Sequence, residues 1–165
     1  MDFVRRTSPG GRVLVIEPDP ASVDEFRRMA EQQGMRHVEV IHAAAWNERT
    51  TVTIEIDPQH PATSFTAGAT EYSPEEMSRF HELEVDAVAV DELVEQGGIE
   101  HVDLVSITTN GAEYEILRGL ERTIRRDLPY VALARTEDSF DGIMSDLGYE
   151  LLGHDDRGFT FRPRR

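Results

Sequence analysis

The sequence predicts an α/β domain with a mostly parallel sheet, helices on both faces, and an antiparallel hairpin at the C-terminal end. Three observations predict it. Short runs of β-branched and apolar residues alternate with segments of helical periodicity along most of the chain. "VDLVSI" is a continuous apolar run, the pattern of a parallel strand covered on both faces. The last two runs, "YELLGHD" and "GFTFRPR", follow one another with no helix between them.

The first element, "GRVLVIEPDP", is a buried strand over Val13 to Ile16 ending in Glu17, then a helix start. Asp19 suits the N-cap and Pro20 the first helical position. The helix places Val23, Phe26, Met29 and Ala30 on one face and stops at Gly34. "HVEVIHAAAW" is predicted as the next strand, and "TTVTIEI" (50–56) as a more exposed one because it alternates strictly. Residues 57–82, rich in Pro, Thr, Ser and Gly, are predicted to be a loop or lid. "LEVDAVAVDELVEQGG" gives a strand and a short helix closed by Gly97 and Gly98. A helix over 112–126 buries Ile116, Leu117, Leu120 and Ile124. "YVALA" is a strand and "SFDGIMSDLG" a helix, before the terminal pair. No repeat and no second domain interrupts residues 1–165.

Composition narrows the function. The chain carries 32 acidic and 17 basic residues, a net charge of −15, and every basic residue is arginine. Such a surface repels phosphate backbones, which argues against nucleic acid and fits solvation at high salt, as in a halophilic protein. There is no cysteine, so thiolate catalysis, disulfides and cysteine zinc sites are excluded. No apolar run reaches membrane-spanning length and no signal-like stretch opens the chain, so the expected address is the cytoplasm. The six histidines lack ligand spacing, and no metal site is predicted.

Two places carry candidate chemistry. Glu17 ends a strand just before a turn into a helix, where a carboxylate can accept hydrogen bonds from a ribose diol, although such a position also suits a solvated turn residue. In "ITTNGAEYEIL" a strand turns through Gly111 into a helix, a corner where backbone N–H groups and side chains converge.

Taken together, "VLVIEPDP", "AAAWNE", "PATSFTAG", "VDAVAVDELV" and "VDLVSITTNGAEYEILRGL" resemble, in order and spacing, the FkbM family of S-adenosylmethionine-dependent methyltransferases, over residues 11–152. The resemblance implies a Rossmann-like methyltransferase sheet and O-methyl transfer to a small-molecule or glycan hydroxyl. It also implies S-adenosyl-L-methionine as cofactor. Glu17 and Pro18 would meet the ribose, Ala44, Ala45 and Trp46 would edge the adenine, and Gly111 would face the reacting end. Thr63, Ser64 and Glu113 would lie on the acceptor side. The family's corner usually carries an aspartate and a glutamate where this chain has Thr108 and Asn110, which would stand at the catalytic positions. Neither can act as a general base. The family also begins with a strand and a Gly-rich loop, whereas residues 1–10 here resemble the tail of the helix that would follow. The resemblance therefore implies a sheet lacking its usual first strand. An open gap would strand backbone groups of two apolar strands, so strands 12–16 and 103–108 are expected to close up and pair directly, in preference to the N-terminal segment filling the slot or a second chain adding a strand. A second reading keeps the fold without turnover, as an inactive remnant or a nucleotide-binding module.

Overall fold

In the computed structural model, residues 7, 10–57, 65–68, 73–134, 140–156 and 158–164 are described. The first apolar run forms strand β1 (Val13–Glu17). Asp19 caps helix α1 (Pro20–Gln32), its carboxylate accepting the N–H groups of Ala21 and Ser22, and Pro20 opens the helix where no donor is needed. Gly34, at φ 65°, takes the left-handed turn that ends α1, and Met35 N–H closes onto Ala30 C=O at 2.8 Å. Strand β2 (Val38–His42) then lies parallel to β1, with Val13 opposite Val38 and Glu17 opposite His42.

The run "HVEVIHAAAW" is two strands rather than one. It divides at buried Ala43, whose N–H donates to Glu17 C=O at 3.2 Å, and β3 (Ala44–Trp46) enters a second sheet. That sheet has the order β3-β6-β4-β5, with β4 (Thr50–Ile56), β5 (Phe65–Thr66) and β6 (His81–Ala89). β3 runs parallel to β6, while β4 is antiparallel to both β5 and β6. Ala44, Ile54, Val85 and Ala87 form its small core. Residues 57–82 are therefore more than a loop. They supply β5 and the single-turn helix α2 (Pro74–Met77), and buried Phe65 meets Phe80 edge-on with ring centroids 5.1 Å apart.

Helix α3 (Val90–Gln96) leads to the third sheet, ordered β7-β8-β10-β9. Its strands are β7 (Leu104–Ile107), β8 (Tyr130–Ala134), β9 (Tyr149–Asp155) and β10 (Gly158–Pro163). β7 and β8 are parallel, and β10 is antiparallel to β8 and β9, so the terminal hairpin forms as predicted. Helices α4 (Glu113–Gly119), α5 (Glu121–Asp127) and α6 (Asp141–Asp146) complete this part. The main core gathers Ile107, Ile116, Leu117, Leu120, Ile124, Val131, Leu133, Met144, Tyr149 and Phe161.

The predicted helix 112–126 buries the expected residues but breaks at Leu120 into α4 and α5. Buried Asp91, at the start of α3, accepts the N–H groups of Arg122 and Thr123 at 3.0 and 2.9 Å. A side chain from another helix thus caps the first turn of α5 and fixes a new helix start.

Direct pairing of β1 with β7 does not occur. β1 pairs with β2, β7 pairs with β8, and no ladder among the described residues joins them. Side chains hold β1 in place instead. Ile16 packs on the main core, and Arg12 Nη1 donates to Gly97 C=O at 2.8 Å. Nor is β7 the fully covered strand its apolar run suggests, because Leu104 is 43% exposed. Among the described residues no helix is long and apolar enough to cross a membrane.

Candidate functional site

The ends of β1 and β7 carry the two predicted clusters. Glu17 is half-buried, and its Oε1 accepts the Asp19 N–H at 3.0 Å. Burial pushes the Glu17 carboxyl above its ordinary value of 4.5, opposed by that backbone hydrogen bond. Its other oxygen, Oε2, accepts no hydrogen bond among the described residues. Asp19, although 4% exposed, is committed to Ala21, Ser22 and the Ser22 hydroxyl, so it orients the turn and leaves Glu17 as the acceptor. Pro18 C=O meets the His42 ring Nε2 at 3.1 Å, which ties this turn to the end of β2.

Ala44, Ala45 and Trp46 follow directly, because Ala43 N–H is bonded to Glu17 C=O. Ala44 is buried, while Ala45 and Trp46 are half-buried and lie against the main core. Trp46 also touches the core of the second sheet. Its carbonyl lies against Gly119, where a Cβ would come within 1.8 Å of that oxygen. Only glycine lets α4 approach β3 this closely.

The second cluster is the corner between β7 and α4. Gly111 sits at φ 96°, and its N–H donates to Glu113 Oε2 at 2.9 Å. Glu113 is 3% exposed, and its Oε1 has no hydrogen-bond partner. Thr109 Oγ1 is likewise buried and unpartnered. Thr108 and Asn110 are exposed, and Asn110 C=O accepts Thr66 N–H from β5 at 3.3 Å. The segment predicted as a lid thus reaches the corner through β5. Thr63 and Ser64 lie outside the described residues.

The structure brings Glu17 and the alanines of β3 together through Ala43, and it links β5, Asn110, Gly111 and Glu113 in the other cluster. The two clusters share the main core, where Ile16 and Trp46 pack on the group that contains Ile107 and Ala112. Sequence reasoning missed Thr109 as a buried polar atom in need of a partner. Its only signal was its place between Ile107 and Gly111. It also missed Asn47, whose Nδ2 donates to Glu115 Oε2 at 2.6 Å while its Oδ1 stays unpartnered. Of two open cavities among the described residues, about 390 and 420 Å³, the first borders this region through Asn47 and Gly119. Arg118, Arg122 and Asp91 line one, Arg27 and Met35 the other, and neither includes Glu17 or Gly111.

Residues 1–159 match the family described as the methyltransferase FkbM domain. A curated relative, "Methyltransferase 1" of Beauveria bassiana (strain ARSEF 2860), is 25% identical over 131 residues, covering 72% of this chain. The chain spans 53% of that relative's length. In fold it is similar to the crystal structure of methyltransferase FkbM from Methylobacillus flagellatus KT, at a TM-score of 0.60 and 15% identity. That match covers 91% of this chain and 36% of the other.

Proposed function

Because this chain belongs to the FkbM methyltransferase family, we propose that it binds S-adenosylmethionine and serves methyl transfer to a hydroxyl of a small molecule or glycan. The observation that carries the reading is Glu17, a half-buried carboxylate at the end of a parallel strand with one oxygen unclaimed among the described residues. A carboxylate held there suits a vicinal diol, the chemistry of a ribose. On this reading the sheet is Rossmann-like, with the β2-β1 and β7-β8 ladders flanking the cofactor.

Glu17 would accept the ribose hydroxyls, Ala44 to Trp46 would border the adenine, and Thr108 to Gly111 would face the reacting end. The cofactor, when bound, supplies an electrophilic methyl group on a sulfonium. The chain's own task is then to hold an acceptor oxygen in line and exclude water. Thr108 and Asn110 can donate and accept hydrogen bonds to orient that oxygen, but neither removes its proton. The free Oε1 of Glu113 and Oγ1 of Thr109 offer two further acceptors behind them. Such a site works by positioning, with little general-base assistance.

Calorimetry with S-adenosylmethionine and S-adenosylhomocysteine tests the reading. Glu17→Ala should weaken binding by about 1.5–3 kcal/mol, the usual worth of hydrogen bonds to a charged group. Equal affinity in the variant, or no binding by the native chain, would overturn it.

A further inference from the structure

Positive charge gathers at one place in this acidic chain. Between Phe26 and Val38, Arg27, Arg28 and Arg36 stand against a single acid, Glu31, although acids outnumber basic residues 32 to 17 in the whole chain. Elsewhere arginines find carboxylates, as Arg12 does in Glu39, Arg49 in Glu92 and Arg162 in Glu150. Among the described residues, Arg27, Arg28 and Arg36 meet no carboxylate. Arg27 Nη2 is anchored on Val40 C=O at 3.1 Å, while the exposed Arg36 guanidinium has no acceptor among the described residues. A guanidinium left unpaired amid an excess of carboxylates keeps its whole fork of donors for an anion.

Arg27 and Arg36 border an open cavity of about 420 Å³, within the size range of small-ligand sites. Its apolar wall is Ala30, Met35, Val38 and Val40, all only partly buried. Helix α1 fully buries only Val23, and the cavity is the space its C-terminal half leaves beside β2. Every lining residue lies in the continuous described stretch 27–40, so α1, the Gly34 turn and β2 build the cavity by themselves. The end of α1 places about half a negative charge nearby. Its carbonyls are already satisfied, with Gln33 N–H on Met29, Met35 N–H on Ala30 and Gly34 N–H on Glu31. The two full positive charges of Arg27 and Arg36 outweigh that end and Glu31 together.

We infer that the cavity between α1 and β2 binds a small amphipathic anion, its carboxylate on Arg36 and its apolar body on Ala30, Met35, Val38 and Val40. The guanidinium fork matches a carboxylate, and the apolar body removes water from a wall that the fold leaves half-covered. A cation is repelled by the arginines, and a neutral apolar molecule leaves Arg36 unused. A polypeptide partner would need a contact of about 1,000 Å² or more, far beyond one cavity of this size. The cavity includes neither Glu17 nor Gly111, so this site is separate from the proposed cofactor site.

The test uses the full chain and octanoate, kept below its micelle concentration and followed by two-dimensional amide NMR. The expected result is saturable shifts at the amides of Ala30, Met35, Val38 and Val40, with affinity that falls as salt rises. Arg36→Gln, a change at an exposed position, should weaken binding at least about tenfold through loss of a charge-assisted hydrogen bond. Ala30→Leu fills the cavity and should weaken binding as much, with the urea midpoints of both variants near the native value. Octanol and octylamine should bind at least about tenfold more weakly than octanoate. The inference is overturned by absence of saturable shifts, by shifts centred outside residues 27–40, by octanol binding as tightly as octanoate, or by native affinity in Arg36→Gln.

Discussion

Gly119→Ala is the substitution whose outcome the packing decides most sharply. A Cβ at Gly119 would lie 1.8 Å from Trp46 O, 2.9 Å from Trp46 C and 3.1 Å from Asn47 Cα. All three are backbone atoms, so no side chain can swing aside, and α4 must move off β3 by about 1.2 Å to reach a tolerable 3.0 Å. Overpacking of this kind costs about 3 kcal/mol, at the upper end of its usual range. Alanine returns up to about 1 kcal/mol through its greater helix propensity. The net loss is therefore about 2 kcal/mol, or about 4–8 °C in Tm for a domain of this size. Urea denaturation followed by circular dichroism measures it. Gly142→Ala, where nothing lies within 4 Å, is the control and should be neutral or stabilising by up to about 1 kcal/mol. If Gly119→Ala proves as stable as the native chain, the close approach of α4 to β3 is wrong.

Three further outcomes are expected. Tyr149→Phe should stabilise the fold by about 1 kcal/mol at neutral pH in urea titrations, since the buried Tyr149 hydroxyl has no partner. Burial pushes Tyr149 up to about 12, so its contribution is full below pH 10.0 and is lost as pH rises toward 12, a loss the Phe variant should lack. Asp91→Ala should cost about 2–3 kcal/mol by the same assay, because it strands the N–H groups of Arg122 and Thr123; a loss under about 0.5 kcal/mol would refute its capping role. Glu17, raised by burial, holds its proton more tightly folded than unfolded, so its stabilisation is full below 4.5 and is lost as pH rises through the raised value. Glu17→Gln should flatten that decline in a pH series of urea midpoints, and a steeper decline would contradict the direction.

Local signals were legible in the sequence wherever one residue fixes the backbone by itself. Asp19-Pro20 announced α1, Gly34 announced its end at φ 65°, and the alternation of "TTVTIEI" announced β4. What failed were boundaries set by distant partners. Nothing near Ala43 says that its N–H goes to Glu17 while its successor pairs with Ala87. Likewise, the break at Leu120 depends on Asp91, about 30 residues away in sequence, capping a turn that propensity alone would continue. The site followed the same rule. Glu17 and Gly111 were visible as strand-end residues, but the unpartnered Glu113 Oε1 and Thr109 Oγ1 follow from burial, which periodicity does not encode.

The two-stranded ladder of β1 and β2 has a consequence for how the chain breathes. A pair of strands alone is marginal in water, and this one is held by α1, the Arg12 bond to Gly97, the Ala43 bond to Glu17 and the contact of Ile16. It is the natural first unit to detach, at an opening free energy below that of global unfolding. Glu17 rides on that unit. A molecule gripping its carboxylate would therefore clamp the weakest joint of the fold, and its affinity would be partly spent on suppressing that opening.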